Sequence, residues 1–254
     1  PILLIHDTLP GASGYEWSKI EDELAIDHTV YTVDLLGCGR SDKSSITYTN
    51  FVYVQMISDF IKKIIGQKTD VIASGFSGSF VTMACHNEKE LFNKIMLVNP
   101  PSLTQLKQMP NRKDRLLKAA LENPIIGTLV YHMNVSRDNI NNLFIEKMYY
   151  NPFHVDNQMA DAYYEAAHKG GYYTRFLYSS LAAKYININI CHALKALDNS
   201  IYIVEGETEP NGKAVTNDYC ASNPAIEVSV LKETKHLPHV EAPEAFLEQV
   251  KIFF

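Results

Sequence analysis

Two periodicities alternate along the chain. ILLI (2–5), VYTVDLL (30–36), DVIA (70–73), KIMLVN (94–99), SIYIVEG (200–206) and IEVSVLK (226–232) are short apolar runs that read as strands. Between them, WSKIEDELA (17–25), VYVQMISDFIKKII (52–65) and SFVTMACHNEKEL (79–91) repeat apolar positions every three to four residues and read as helices, as does the closing PEAFLEQVKIFF (243–254). Strands alternating with helices predict a parallel sheet covered on both faces, an α/β fold.

The alternation stops after Pro101. From there to about Tyr185 only helical patterns appear: NRKDRLLKAALEN, DNINNLFIEKMYY, NQMADAYYEAAHK and TRFLYSSLAAKY. The stretch is too long and too patterned for a loop. It predicts a helical cap over residues 102–185 inserted into a core of 1–101 and 186–254. The cap is rich in Tyr and Phe (Tyr149, Tyr150, Phe153, Tyr163, Tyr164, Tyr172, Tyr173, Phe176, Tyr178), which predicts an apolar pocket with a few hydroxyls.

Composition narrows the classes. Of the 254 residues, 46% are hydrophobic and 20% charged, an ordinary globular balance with room for one large core. The net charge of -6 and scattered Lys and Arg exclude a phosphate-tracking stripe, so a nucleic-acid partner is not expected. Cys38, Cys85, Cys191 and Cys220 lack metal-ligand spacing and read as reduced thiols of a cytoplasm-like compartment. No metal or cofactor is expected. The chain opens on the apolar PILLIH without Met, so residues are expected before Pro1, and a leader or anchor there stays open.

The candidate chemistry lies in SGFSGSF, Ser74 to Phe80, between a strand and a helix. Gly75-Phe76-Ser77-Gly78-Ser79 is a variant of G-x-S-x-G, in which a strained turn holds up a serine and needs small neighbours two positions away. Ser77 is the expected nucleophile, and Ser74 and Ser79 are weaker candidates. A serine needs a base. His236, in the loop before the last helix, is the expected base; His239 is the alternative, with a packing role expected. The base needs an acid to orient it. Glu209, in the turn after SIYIVEG, is favoured over Glu207, and Glu205 lies within the strand. The order Ser, acid, His is that of an α/β-hydrolase.

With these residues in view, the chain resembles the α/β-hydrolase superfamily over essentially its whole length, closest to capped members such as carboxylesterases, epoxide hydrolases, haloalkane dehalogenases and carbon–carbon bond hydrolases. The resemblance rests on His6-Asp7-Thr8-Leu9-Pro10-Gly11, on Asp34-Leu35-Leu36-Gly37-Cys38-Gly39-Arg40-Ser41-Asp42, on the Ser77 segment, and on His236-Leu237-Pro238-His239 with Glu241 and Pro243. It implies an oxyanion hole from the N–H groups of Gly78 and Thr8, with His6 supporting the loop. Asp7 departs from the family, which has Gly there, and a side chain at that position changes the loop's backbone angles. A serine nucleophile favours attack on a carbonyl carbon. Epoxide hydrolases and dehalogenases of the family carry Asp instead and displace at an alkyl carbon.

The resulting expectation is a serine hydrolase that cleaves a small to medium apolar ester, thioester or lactone through an acyl-enzyme, with a base of pKa near ~7. Its partner is a small-molecule substrate, and the oligomeric state is unknown. An acyltransferase or carbon–carbon hydrolase could use the same triad. A non-catalytic binding protein of the same fold is the rival, and Asp7 is its best support. A dinucleotide site is set aside, because Gly37-Cys38-Gly39 lacks the third glycine.

Overall fold

The computed structural model describes all residues from Pro1 to Phe254. Six strands form one parallel sheet: β1 (Ile2–Ile5), β2 (Val30–Val33), β3 (Thr69–Ser74), β4 (Phe92–Val98), β5 (Ile201–Gly206) and β6 (Glu227–Leu231), in the order β2-β1-β3-β4-β5-β6. β1 lies inside the sheet and all four of its residues are buried. Alternation sends Leu3 and Ile5 to one core and Ile2 and Leu4 to the other. This is why ILLI reads as an unbroken apolar run.

Helices cover both faces. The first of them are α1 (Glu21–Asp27), α2 (Asn50–Phe60) and α3 (Ser77–Asn87). The core on one face holds Tyr53 and Ile57 of α2 and Phe80 and Val81 of α3. On the other face Trp17, Ile20 and Leu24 pack with Phe246 and Val250. The expected strand 30–36 stops at Val33, because the Asp34 carboxylate accepts the N–H groups of Gly14 and Arg40, both at 2.6 Å, and turns the chain. The expected helix 17–25 is a 3-10 turn at Gly14–Trp17 followed by α1.

Between β4 and β5 the chain forms helices only: α4 (Leu103–Leu106), α5 (Arg112–Glu122), α6 (Ile126–Asn134), α7 (Arg137–Leu143), α8 (Asn157–His168), α9 (Arg175–Ala182) and α10 (Cys191–Ala196). The sequence patterns anticipate α5, α7, α8 and α9 but not α4, α6 or α10. An Asn111/Asp114 capping box starts α5. Met159, Tyr163, Phe144 and Met148 of this segment share a cluster with Ala12, Leu237 and Val240, so its packing reaches the loops at the C-terminal ends of the strands. After β5 come α11 (Gly212–Ser222), α12 (Pro238–Glu241) and α13 (Pro243–Phe253). All four cysteines are free, and no helix is long and apolar enough to cross a membrane.

Candidate active site

The glycine–serine run spans the end of β3 and the start of α3. Gly75 takes φ +52°, the left-handed region that glycine enters at least cost. Gly75, not Ser77, is therefore the tip of the turn. Ser77 belongs to the first turn of α3 and is fully buried. Its hydroxyl donates to the His6 carbonyl at 2.6 Å and lies 3.1 Å from the Thr8 hydroxyl. It makes no hydrogen bond to His236. The expected placement of Ser77 is thus corrected. The small-x-X-x-small spacing is met in two frames, Gly75-x-Ser77-x-Ser79 and Ala73-x-Gly75-x-Ser77, and only the second matches the turn. The cue was Ser74: the strand runs through it, so Gly75 is the first residue past the strand and the place where the chain must turn. Ser79 is also spoken for, since its hydroxyl donates to the Phe76 carbonyl at 2.7 Å.

Asp7 fills the space that a side chain at the tip would take. A Cβ built on Gly75 would run into the Asp7 carboxylate. Asp7 Oδ1 accepts two backbone N–H groups, from Thr8 at 2.6 Å and Phe76 at 2.8 Å. One N–H comes from the loop after β1 and the other from the residue after the turn tip, which is the arrangement of an oxyanion hole. The N–H of Thr8, expected to face a substrate oxyanion, donates to a carboxylate of the chain itself. Gly78, the expected second donor, spends its N–H on the Gly75 carbonyl at 3.2 Å, and it is the Phe76 N–H that meets Asp7 Oδ1 beside that of Thr8. His6 braces this loop: its Nε2 accepts from Leu35 N at 3.0 Å, which leaves Nδ1 to donate to the Asp7 carbonyl at 2.6 Å.

A second layer lies beneath. The Asp7 N–H donates to Glu16 Oε2 at 3.2 Å, and Glu16 Oε1 is 3.2 Å from His239 Nε2. Both side chains are fully buried. Burial pushes the Glu16 carboxyl up, but His239, by contact and charge, holds it below its usual range. His239 stacks on Trp17 at 4.3 Å and so has the packing role expected of it.

His236 faces two carboxylates. Nδ1 lies 3.3 Å from Glu209 Oε1 and Nε2 lies 3.4 Å from Asp7 Oδ2. Glu207 is turned elsewhere and accepts Glu233 N at 3.0 Å. Burial alone would lower the imidazole's pKa, but the hydrogen bonds and charges of Asp7 and Glu209 outweigh it and raise it to about 10. The imidazole is therefore a cation at neutral pH, not the base near 7 expected from sequence.

The His236 loop is fixed by residues the sequence reading missed. Asn99, at φ +43° just after β4, donates from Nδ2 to the carbonyls of Lys235 at 2.8 Å and His236 at 2.9 Å, and its Oδ1 accepts Gly206 N at 3.0 Å. A positive φ suits Asn better than most residues. The His236 N–H donates to the Met148 carbonyl at 3.1 Å, and Glu241 accepts both Tyr150 N and Lys235 N. The only signal for Asn99 was its position at a strand end before Pro100-Pro101.

Asp7, Gly75, Phe76, Glu209 and His236 line one cavity of about 550 Å³. The helical segment contributes Leu143, Glu146, Lys147 and Met148 to it. The expected tyrosine lining is absent. Tyr149 and Tyr163 are packed into the cluster behind, while Tyr150, Phe153, Tyr172 and Tyr173 are exposed. Phe76 is the one aromatic residue on the wall.

Known proteins share this architecture. A 2-hydroxy-6-oxo-6-(2'-aminophenyl)hexa-2,4-dienoic acid hydrolase of Metapseudomonas resinovorans is 29% identical over 105 residues, which is 41% of this chain and 36% of that protein. The match spans about a third of the length of the curated relatives. A serine hydrolase involved in carbazole degradation superposes with TM-score 0.78 at 18% identity, over 100% of this chain and 90% of that one. A structure from work on carboxylesterases of the ammonia-oxidizing thaumarchaeon Nitrososphaera gargenis gives TM-score 0.73 at 17% identity, over 100% and 89%. These likenesses concern the fold. A family model described as alpha/beta hydrolase matches residues 2–249, nearly all of the parallel sheet and its covering helices, and the chain belongs to that alpha/beta hydrolase family.

Proposed function

We propose that the chain is a hydrolase of small organic molecules, taken into the cavity beneath the helical cap and turned over by His236 with Glu209 as its orienting acid. The observation that carries this reading is the imidazole itself: one nitrogen rests on Glu209 and the other faces a cavity-lining carboxylate. An imidazole oriented by a carboxylate is the proton-transfer unit of hydrolytic sites, and here it rests protonated, with a proton to give before it takes one. The cavity is in the range that takes small ligands.

Ester cleavage through an acyl-enzyme on Ser77 fits less well. The hydroxyl would have to give up the His6 carbonyl, and the substrate's oxyanion would have to displace Asp7. A second reading, a ligand-binding protein without turnover, is favoured by Gly75, which offers no side chain at the turn.

The test is a substrate panel that spans p-nitrophenyl esters, lactones and small epoxides, run on the native chain and on His236→Ala. The hydrolase reading expects turnover of at least one class and a loss of about 100-fold or more in the variant. If no class turns over, while panel compounds raise the melting temperature, the binding reading replaces it.

A further inference from the structure

The carboxylate of Asp7 holds the position of a nucleophile, delivered from a loop that does not normally supply one. Gly75 vacates the turn tip, and Asp7 occupies the volume that a tip side chain would need. Its two oxygens are in unlike surroundings. Oδ1 takes both converging N–H groups, from Thr8 and Phe76. Oδ2 has only His236 beside it, at 3.4 Å, and the residue lines the 550 Å³ cavity. We propose that Asp7 is the nucleophile of this site, and that its substrates carry an electrophilic saturated carbon bonded to an oxygen leaving group, with a small epoxide as the type. This inference rests on the hydrolase reading above and goes further by naming the attacking atom and the substrate class.

The protonated His236 beside Oδ2 suits a leaving oxygen that takes up a proton, and a carboxylate nucleophile suits a saturated carbon. A carboxylate that attacks a carboxylic ester makes a mixed anhydride, which is more reactive than the ester it came from, so the step runs uphill. At a saturated carbon the same attack makes an ordinary ester. The hole for a substrate's carbonyl oxygen is moreover already filled by Asp7 Oδ1, so an acyl substrate finds its usual stabilisation taken.

Oδ2 attacks the ring carbon, the carbon–oxygen bond of the epoxide breaks, and Asp7 becomes an alkyl ester. With Asp7 uncharged, one of the two carboxylates that hold His236 protonated is lost. The proton that His236 gives up is the one the freed alkoxide gains. Neutral His236 then takes a proton from water as the water oxygen attacks Cγ. The negative charge gathers on Oδ1, between the N–H groups of Thr8 and Phe76. The Cγ–Oδ2 bond breaks, the departing diol oxygen takes the proton from His236, and the proton left on the carboxyl passes back to His236. The carboxylate and imidazolium are restored, and the original Oδ2 has left in the product.

The experiment uses the full chain with styrene oxide and 1,2-epoxyhexane. A single turnover of the native chain in H2(18)O should place (18)O in the peptide that contains Asp7, while the diol formed keeps an unlabelled oxygen at the attacked carbon. His236→Gln, in which solvent must protonate the alkoxide, should form a covalent adduct of the epoxide's mass on Asp7 more slowly and then retain it, because no base activates water, and Asp7→Asn should form none. Label in the diol with none in Asp7 overturns the proposal, since water then attacks the substrate directly. Absence of both diol and Asp7 adduct with both epoxides also overturns it. If His236-dependent turnover of another class persists in that case, the hydrolase reading stands without this one. If turnover survives in His236→Ala, both fall.

Discussion

At Gly75 a hydrogen atom stands where any side chain would meet the Asp7 carboxylate, and φ +52° adds backbone strain for any other residue. Gly75→Ser should therefore cost about 2–4 kcal/mol in urea unfolding. In an Asp7→Gly background the clash is gone, and the cost of the same change should fall to about half. That double variant also puts a hydroxyl at the turn tip and empties the N–H pair of Thr8 and Phe76. It should gain cleavage of p-nitrophenyl acetate that neither single variant shows, and Ser77→Ala added to it should leave that gain within about threefold. His236 makes a separate prediction. Its pKa is raised to about 10 from the usual 6.5, so its ion pairs add stability in full below about pH 6.5 and lose it as the pH climbs toward 10. Thermal unfolding followed from pH 6 to 10 should show the native chain losing a few kcal/mol more than His236→Gln over that span. Residue chemistry was readable where type alone decides it, as with the Glu209–His236 contact. It was misread where position within a turn decides it. SGFSGSF fits the small-residue rule in two frames, and the carboxylate that distinguishes them lies sixty-nine residues upstream in the chain.

Among the elements, the joints between loops hold the site more than the helices do. Asn99 ties the end of β4 to the end of β5 and to the His236 loop with three hydrogen bonds. Asn99→Ala loses all of them and also places alanine at φ +43°, so a cost of about 3 kcal/mol is expected by denaturant titration, with a loss of whatever turnover His236 supports. Asn99→Gly relieves the backbone and isolates the hydrogen bonds, and should recover about 1 kcal/mol of that. The strands and most helices were legible because their periodicity is set by burial, as β1 shows with every residue buried. α6 was not: Ile126, Leu129 and Met133 are exposed, so its apolar residues do not mark the buried face. The joints were illegible for another reason. Asn99 and Glu241 act through backbone groups far away in sequence, and no local pattern records such partners.

Across the whole molecule, the helical segment and the sheet share their packing. Phe144 is fully buried beside Tyr149 and Tyr163, in the cluster that includes Leu237 and Val240 on either side of α12's start. Phe144→Ala should cost about 3–5 kcal/mol. Because the cluster spans both parts, the loss should appear as one shifted transition, with circular dichroism and tyrosine fluorescence melting together. The order of the sheet carries a further consequence. Ile95 of β4 pairs with Ile201 of β5, although the entire helical segment lies between them in the chain. During synthesis on a ribosome, β4 emerges with an open, apolar, hydrogen-bond-ready edge and must wait for β5, which begins at Ile201, until the whole stretch after Val98 has followed it. The waiting strand is where a nascent chain of this kind would recruit chaperones or pair with the wrong neighbour.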